Sequence, residues 1–399
     1  MVTTQNLQGV NTDLAKPTNS ETTTYPPAFL EYAWYISLVY ATLGQVWGIV
    51  IPSVGGIVLV FVAVGCWLSI SDQALKVYKP IAWALWTGIL MIAIQVLFHK
   101  ESTEAWAEGI IFVNWIALLI IVQSLALRPQ FLHRFSLVAL AIGLAALPYL
   151  NVRTIEGVSR AWASGTGISN PNTLGMWFGF CTVYFIFWGL KARRMPLRIV
   201  SWVTALGCLY IITLTVSRAP LLAVALACVV GLRPVLKRNF LPLLLLILLV
   251  SIVYASGFFD EKIEHYMARG TEQSGRERLW PAALDRIFES LWIGVGFDGV
   301  RIPFGHNRFM IPHNALLHIA LASGIIPVIC FGIYLSQVGI GTLRIIRRSY
   351  LGELALLPPL VVFALFETMM LDFAFMSPWT AVAFGLAIGA CRSDRHRES

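Results

Sequence analysis

The stretch that decides the fold is KARRMPLRIVSWVTALGCLYIITLTV, residues 191–216. It opens with a cluster of Lys and Arg and continues as an apolar run long enough to cross the hydrocarbon core of a bilayer as a helix. Basic side chains collect at the cytoplasmic ends of such helices. The stretch therefore predicts a transmembrane helix that starts in the cytoplasm.

The same arrangement recurs along the chain, with two apolar stretches between successive basic clusters. This alternation predicts that both termini and every basic turn face the cytoplasm. Of the 29 Lys and Arg, 17 fall in these clusters and Lys16 lies near the amino terminus, which leaves 11 on the outer side. The clusters are Lys76/Lys79, Arg128/Arg134, Lys191 to Arg198, Arg233 to Arg238, Arg344 to Arg348 and Arg392 to Arg397.

The composition is that of an integral membrane protein, with 57% hydrophobic and 13% charged residues. The net charge of +8 comes mostly from basic residues of the predicted cytoplasmic turns, which lie beside anionic lipid head groups. We therefore expect no nucleic-acid partner. The six cysteines lie in or beside apolar runs without a CxxC pair, which favours buried thiols over disulfides or metal ligands.

We therefore predict an all-α integral membrane protein with about twelve transmembrane helices and one large periplasmic loop. Residues 1–30 are expected to form a disordered cytoplasmic tail rather than a cleavable signal peptide, 31–391 a single membrane domain, and 392–399 a basic cytoplasmic tail. The expected spans are 33–50, 52–71, 80–98, 107–126, 135–151, 172–190, 198–216, 219–234, 239–258, 313–340, 353–371 and 374–391.

Two outer segments are long. Residues 152–171 carry Arg153 and Arg160, and residues 259–312 carry 7 basic and 8 acidic side chains. Within 259–312, apolar residues from Leu279 to Trp292 recur at helical spacing. This pattern predicts an amphipathic helix that packs on the membrane face or against the bundle, with Pro281 as a kink or in its first turn.

Three arginines of the outer side are candidates for binding an anion. Arg218 lies in a short turn before Pro220, where it either reaches the membrane surface or binds phosphate through its forked guanidinium. Arg276 follows Ser274 in a predicted helix start, whose free N–H groups favour an anion. Arg278 should face roughly the opposite side of that helix, so at most one of the two arginines is expected at the same ligand.

His313 and Asn314 stand where the tenth span begins, with His306 before them and His318 inside the span. A metal site is not expected, because the outer segments contain no HExxH or comparable ligand motif. His313 is either a general base or a hydrogen-bonded histidine at the membrane surface. Asn172, in Asn-Pro-Asn before the sixth span, is typical of a helix cap and can also line a site.

Five short segments together resemble the O-antigen ligase and polymerase family of bacterial membrane glycosyltransferases. They follow one another in the family's order between about residues 160 and 330. They are SGTGISNPNTLG at 164–175, SRAPLLA at 217–223, SGRERLW at 274–280, GVGF at 294–297 and PHNALLHIALASGIIP at 312–327.

The resemblance implies inverting transfer of a glycan from undecaprenyl pyrophosphate to an acceptor hydroxyl at the periplasmic face of the inner membrane, without nucleotide, metal or other cofactor. It assigns Arg218 and Arg276 to the pyrophosphate and His313 to the acceptor. Arg278, Arg160, Asn172 and Asn314 are further substrate-binding candidates. For the ligase branch the acceptor is the lipid A–core oligosaccharide.

Three other functions stay open. A polymerase would use the same donor, but no obvious Arg-x10-Gly motif of that branch is present in the outer segments. A protein O-oligosaccharyltransferase is less favoured because no additional outer domain follows the last span. A lipid-linked glycan flippase would need charges along a path through the membrane, and the predicted spans are almost free of charge.

Overall fold

The structure is a computed structural model that describes residues 25–48, 52–100, 103–155, 158–238, 276–303, 309–348 and 352–390. Helices dominate it. In chain order they are α1 (Ala28–Leu43), α2 (Pro52–Ser69), α3 (Ala74–Tyr78), α4 (Ala82–Phe98), α5 (Thr103–Leu125), α6 (Phe131–Ala146), α7 (Pro171–Lys191), α8 (Met195–Leu214), α9 (Arg218–Arg238), α10 (Arg276–Glu289), α11 (Gly296–Gly299), α12 (Ala315–Ser323), α13 (Ile325–Arg348), α14 (Leu357–Met370) and α15 (Pro378–Ala390).

Five helical segments of the described chain are long and apolar enough to cross a membrane, which confirms the predicted class of helical membrane protein. They are Ser71–Phe98, Phe131–Tyr149, Pro171–Lys191, Met195–Leu214 and Ile325–Arg347. Shorter apolar helices lie at Gly55–Ser69, Gly109–Leu125, Leu354–Met370 and Pro378–Gly389. The span 239–258 falls outside the described residues, so the number twelve stays a prediction.

Segments that the alternation assigns to one side of the membrane contact one another. The Gly167 amide of the outer segment 152–171 donates at 2.8 Å to the Thr42 carbonyl near the end of α1, which stops at Leu43 rather than at the expected 50. At the predicted cytoplasmic end, the Tyr78 and Ser124 hydroxyls lie 2.9 Å apart. Which end faces the periplasm stays a prediction.

The first helix begins at Ala28, inside the segment expected to be a disordered tail, and the cause is a buried charge cluster. Glu31 is only 2% exposed and pairs with Arg128 at 3.0 Å and Arg134 at 2.7 Å. The Tyr35 hydroxyl donates to the same carboxylate at 2.7 Å. A buried carboxylate needs such partners, and they fix the start of α1 against the turn before α6.

The predicted outer loop 152–171 is partly a β-hairpin. Strand β1 (Leu150–Ile155) pairs antiparallel with β2 (Val158–Ala163), and the register sets Arg153 opposite Arg160. Helix α6, which corresponds to the expected span 135–151, therefore ends at Ala146. A second two-stranded pair joins β3 (Ile302–Pro303) and β4 (Phe309–Met310).

The expected single span 313–340 is two helices, α12 and α13, which are separated by Gly324. Gly324 has a φ of 80°, a left-handed conformation that interrupts the helix. A β-carbon at this position would lie 2.3 Å from the Trp292 carbonyl oxygen. The break is thus the point where the turn after α10 packs against the bundle.

The amphipathic helix is present as α10. Its buried face carries Leu279, Ala283 and Ile287, while Phe288 is 72% exposed. Pro281 lies inside the helix rather than in its first turn. Trp292, expected in the same stripe, follows the end of the helix.

Candidate functional site

The first cluster of predicted site residues joins the β-hairpin to the turn between α8 and α9. Arg160 Nε donates to the Thr215 carbonyl at 2.9 Å, and its Nη2 donates to Ser217 Oγ at 3.0 Å and to Asn172 Oδ1 at 3.2 Å. The Ser217 hydroxyl donates to the same Asn172 oxygen at 2.8 Å. Arg160 and Asn172 therefore hold the turn that carries Arg218.

The backbone of this turn is unusual. Val216 has a φ of 48°, which is a sterically unfavourable conformation for a β-branched residue. Gly175 of α7 packs closely against this turn, since a β-carbon at Gly175 would lie 2.9 Å from Pro220 Cγ. Arg218 follows as the first residue of α9, and its side chain is exposed. Local strain of this kind is characteristic of functional sites, where the surrounding contacts maintain it.

The second cluster surrounds the carboxyl end of α14. Arg276 donates through Nη2 to the Met370 carbonyl at 2.9 Å and through Nη1 to the Met370 sulfur at 3.3 Å. The last carbonyls of a helix have no partner within it and form its negative end, so a guanidinium is favourable there. Burial lowers the pKa of Arg276 from its ordinary value, and the charges of Asp372 and Glu367 oppose that shift.

Arg276 and Arg278 lie on different faces of α10. Arg276 is half-buried and stands one turn before Leu279 on the packed face, whereas Arg278 is exposed. Of the two arginines, Arg276 donates to the end of α14. The predicted cap Ser274 lies outside the described residues.

His313 is held in a strained conformation next to an acid. It has a φ of 53°, and its Nδ1 lies 3.2 Å from Asp372 Oδ2. The histidine side chain is 28% exposed, while Asp372 is only 2% exposed. This distance permits an ion pair when the ring is protonated, although Asp372 Oδ2 has no hydrogen-bond partner among the described residues.

Asn314 fixes this geometry as the cap of α12. Its Oδ1 accepts from the amides of Leu316 at 2.9 Å and Leu317 at 3.1 Å, and its Nδ2 donates to the Met369 carbonyl at 3.1 Å. Its own amide donates to Asp372 Oδ1 at 3.2 Å. These contacts use Oδ1 and one Nδ2 hydrogen of Asn314 within the protein, and its substrate-binding role stays a prediction.

His318 lies on the inner side of the same acid. It is 1% exposed, its Nδ1 is 4.0 Å from Asp372 Oδ1, and its ring meets Phe373 edge-on with centroids 4.5 Å apart. The carboxylate of Asp372 therefore stands between an accessible histidine and a buried one.

The predicted residues thus form two clusters at one end of the bundle, and α14 connects them because it packs against α9. Three polar residues were missed: Ser217, Glu367 and Asp372. Asp372 stands between two apolar runs, in MLDFAF, which is the signal that could have identified it. Among the described residues no group of three or more His, Cys, Asp or Glu could hold a metal ion.

The described residues thus form a helical membrane protein with arginines and a histidine–carboxylate pair at one end of its helices. Residues 203–332 match the model of the family described as O-Antigen ligase. The resemblance to that family is thereby confirmed over about a third of the chain. The matched segment includes Arg218, Arg276 and His313 but ends before Asp372. No curated protein matches the chain.

The match over residues 203–332 supports, in general terms, a bacterial membrane glycosyltransferase of the O-antigen ligase or polymerase type.

Proposed function

We propose that this protein transfers a glycan from undecaprenyl pyrophosphate to a hydroxyl of the lipid A–core oligosaccharide at the periplasmic face of the inner membrane. The observation that carries the proposal is the arrangement around the end of α14. There Arg276 and the His313–Asp372 pair approach the same helix end. A cation for the leaving group and a base for the acceptor are the two groups that this reaction needs.

In the proposed reaction the acceptor oxygen attacks the anomeric carbon directly. The bond from that carbon to the phosphate oxygen breaks, and undecaprenyl pyrophosphate leaves with the electron pair. His313 Nε2 accepts the acceptor's proton, and Asp372 stabilises the resulting imidazolium. A positioned base of this kind contributes about 10²–10⁴-fold to the rate. One direct displacement inverts the anomeric configuration.

Arg276 and Arg218 are the proposed contacts of the pyrophosphate. Negative charge on this group grows as the glycosidic bond breaks, so fixed guanidinium groups stabilise the transition state more than the bound donor. Arg160 and Asn172 support Arg218 through the turn that they hold. Arg278 lies on the exposed face of α10, and we assign it a contact at the periphery of the donor site.

The decisive experiment reconstitutes the purified protein with a lipid-linked glycan and lipid A–core, and follows the acceptor on a gel. We expect a glycan-sized shift that disappears in His313→Ala, whereas His318→Ala retains more transfer. Elongated lipid-linked glycan without transfer to lipid A–core would identify a polymerase instead. Movement of the glycan across vesicles without any transfer would identify a flippase.

The proposed sidedness is tested with single cysteines labelled by an impermeant reagent in intact cells. Val152 and Met195 are suitable positions, because they are 71% and 57% exposed at opposite ends of the fold. We expect labelling at position 152 only. Labelling at position 195 only would reverse the topology and exclude a periplasmic site.

A further inference from the structure

Glu367 is an acid without a partner at the centre of the second cluster. It lies in the last turn of α14, and its side chain is 0% exposed. Neither of its carboxyl oxygens has a hydrogen-bond partner in the described structure. Removing an ionised carboxylate from water without hydrogen bonds is costly, so such a group is more stable as the neutral acid unless a cation is close.

The cation close to Glu367 is Arg276. Arg276 donates at 2.9 Å to the carbonyl of Met370, which stands three residues after Glu367 on the same side of α14. The other ionisable groups near the outer half of α14 are Asp372 after the helix, His318 on α12 and Arg218 at the start of α9. The outer half of α7 and the whole of α15 carry no charged residue.

We propose that the protonation of Glu367 controls how strongly Arg276 binds the donor, an inference that rests on the proposed function. An ionised Glu367 neutralises the guanidinium and repels the pyrophosphate. The neutral acid leaves the charge of Arg276 to the phosphate oxygens. Binding of the anionic donor therefore favours uptake of one proton from solvent by Glu367, and Glu367 is a positioning residue that acts through Arg276.

The test measures binding of farnesyl pyrophosphate to the full-length protein in lipid nanodiscs from about pH 6 to about pH 9, a range that includes the ionisation of buried carboxyl groups. Wild-type affinity should fall as pH rises, by up to about tenfold per pH unit once Glu367 ionises. Glu367→Gln cannot ionise and should lose this decline, so that it binds more tightly than the wild type at the alkaline end. Glu289→Gln, which changes an exposed acid of α10, should behave like the wild type. Farnesyl pyrophosphate ionises in the same way with all three proteins, so its own ionisation does not affect the comparison between them.

Infrared difference spectra provide a second measurement on the same samples. Addition of farnesyl pyrophosphate at alkaline pH should produce the carbonyl band of a protonated carboxyl group in the wild type and in Glu289→Gln. The band should be absent in Glu367→Gln.

The outcomes separate this inference from the proposed function. Wild-type binding with the same pH profile in Glu367→Gln, or weaker binding by Glu367→Gln at every pH, would overturn the role of Glu367 alone. No binding by the wild type at any pH would overturn the pyrophosphate donor as well.

Discussion

The Nδ1 atom of His313 lies 3.2 Å from Oδ2 of Asp372, although one residue precedes α12 and the other follows α14. The carboxylate also accepts the amide of Asn314 at 3.2 Å. Three consecutive residues, Pro312 to Asn314, are thereby fixed: Trp280 Nε1 donates to the Pro312 carbonyl at 2.9 Å from the side of α10. The histidine is held by contacts from three separate parts of the chain.

Asp372→Asn should reduce transfer by about 10²–10⁴-fold, the usual contribution of a positioned base. The neutral amide keeps the shape of the acid but cannot stabilise an imidazolium, so the loss should appear in single-turnover transfer and not in donor binding. Asp298→Asn is the control, because that acid is exposed. A loss of donor binding that parallels the loss of transfer would contradict this role.

Arg276→Ala should weaken donor binding and transfer, whereas Arg278→Ala should have a small effect. Each charged hydrogen bond to phosphate contributes about 1.5–3 kcal/mol, which is roughly tenfold or more in affinity. Arg276→Lys should restore little, because a point charge does not reproduce the forked guanidinium. The measurement is a donor titration of the transfer rate for the three variants, and a larger defect in Arg278→Ala would reverse the assignment of the doublet.

The class of fold follows from the sequence because bilayer thickness and basic turns constrain it strongly. The α10 helix was predictable for a similar reason, since Leu279, Ala283 and Ile287 form one stripe. The β-hairpin and the early start of α1 were not predictable from local pattern. Both depend on contacts between distant parts of the chain, such as Glu31 with Arg128 and Arg134.

Arg218, Arg276 and His313 could be chosen as candidates from the sequence because residue type alone restricts the chemistry, and their roles stay predictions. The supporting residues of the site could not be chosen in this way. Asp372 follows His313 by a long stretch of chain, and only the packing of α12 against α14 brings the two side chains together. The direction of the Arg276 side chain likewise depends on a distant contact, its hydrogen bond to the Met370 carbonyl at the end of α14.

Ser217→Ala should destabilise the protein by about 0.5–1.5 kcal/mol, because the half-buried side chains of Asn172 and Arg160 each lose a hydrogen-bond partner. The displaced turn should also raise the KM for the donor more than it lowers kcat, since Arg218 directly follows it. Thermal unfolding in detergent and donor titration are the measurements. Ser336→Ala is the matched control, because Ser336 is exposed and bonds only within its own helix. Equal unfolding temperatures for the two variants would contradict the structural role of the network.

Gly324→Ala should destabilise the protein by about 1–2 kcal/mol or more, because an L-residue is strained at a φ of 80° and the new methyl group would meet the Trp292 carbonyl. The Ile325 amide donates to the Leu291 carbonyl at 2.9 Å across this contact, so the turn after α10 should shift away from α12. Transfer should fall as well, since α10 carries Arg276. Gly339→Ala is the control within α13, where a methyl group meets nothing within 4 Å. That change should be neutral or stabilise the helix by about 0.5–1 kcal/mol. Unfolding temperatures and transfer rates of both variants test the prediction, and a Gly324→Ala protein as stable as Gly339→Ala would show that the break between α12 and α13 does not depend on glycine.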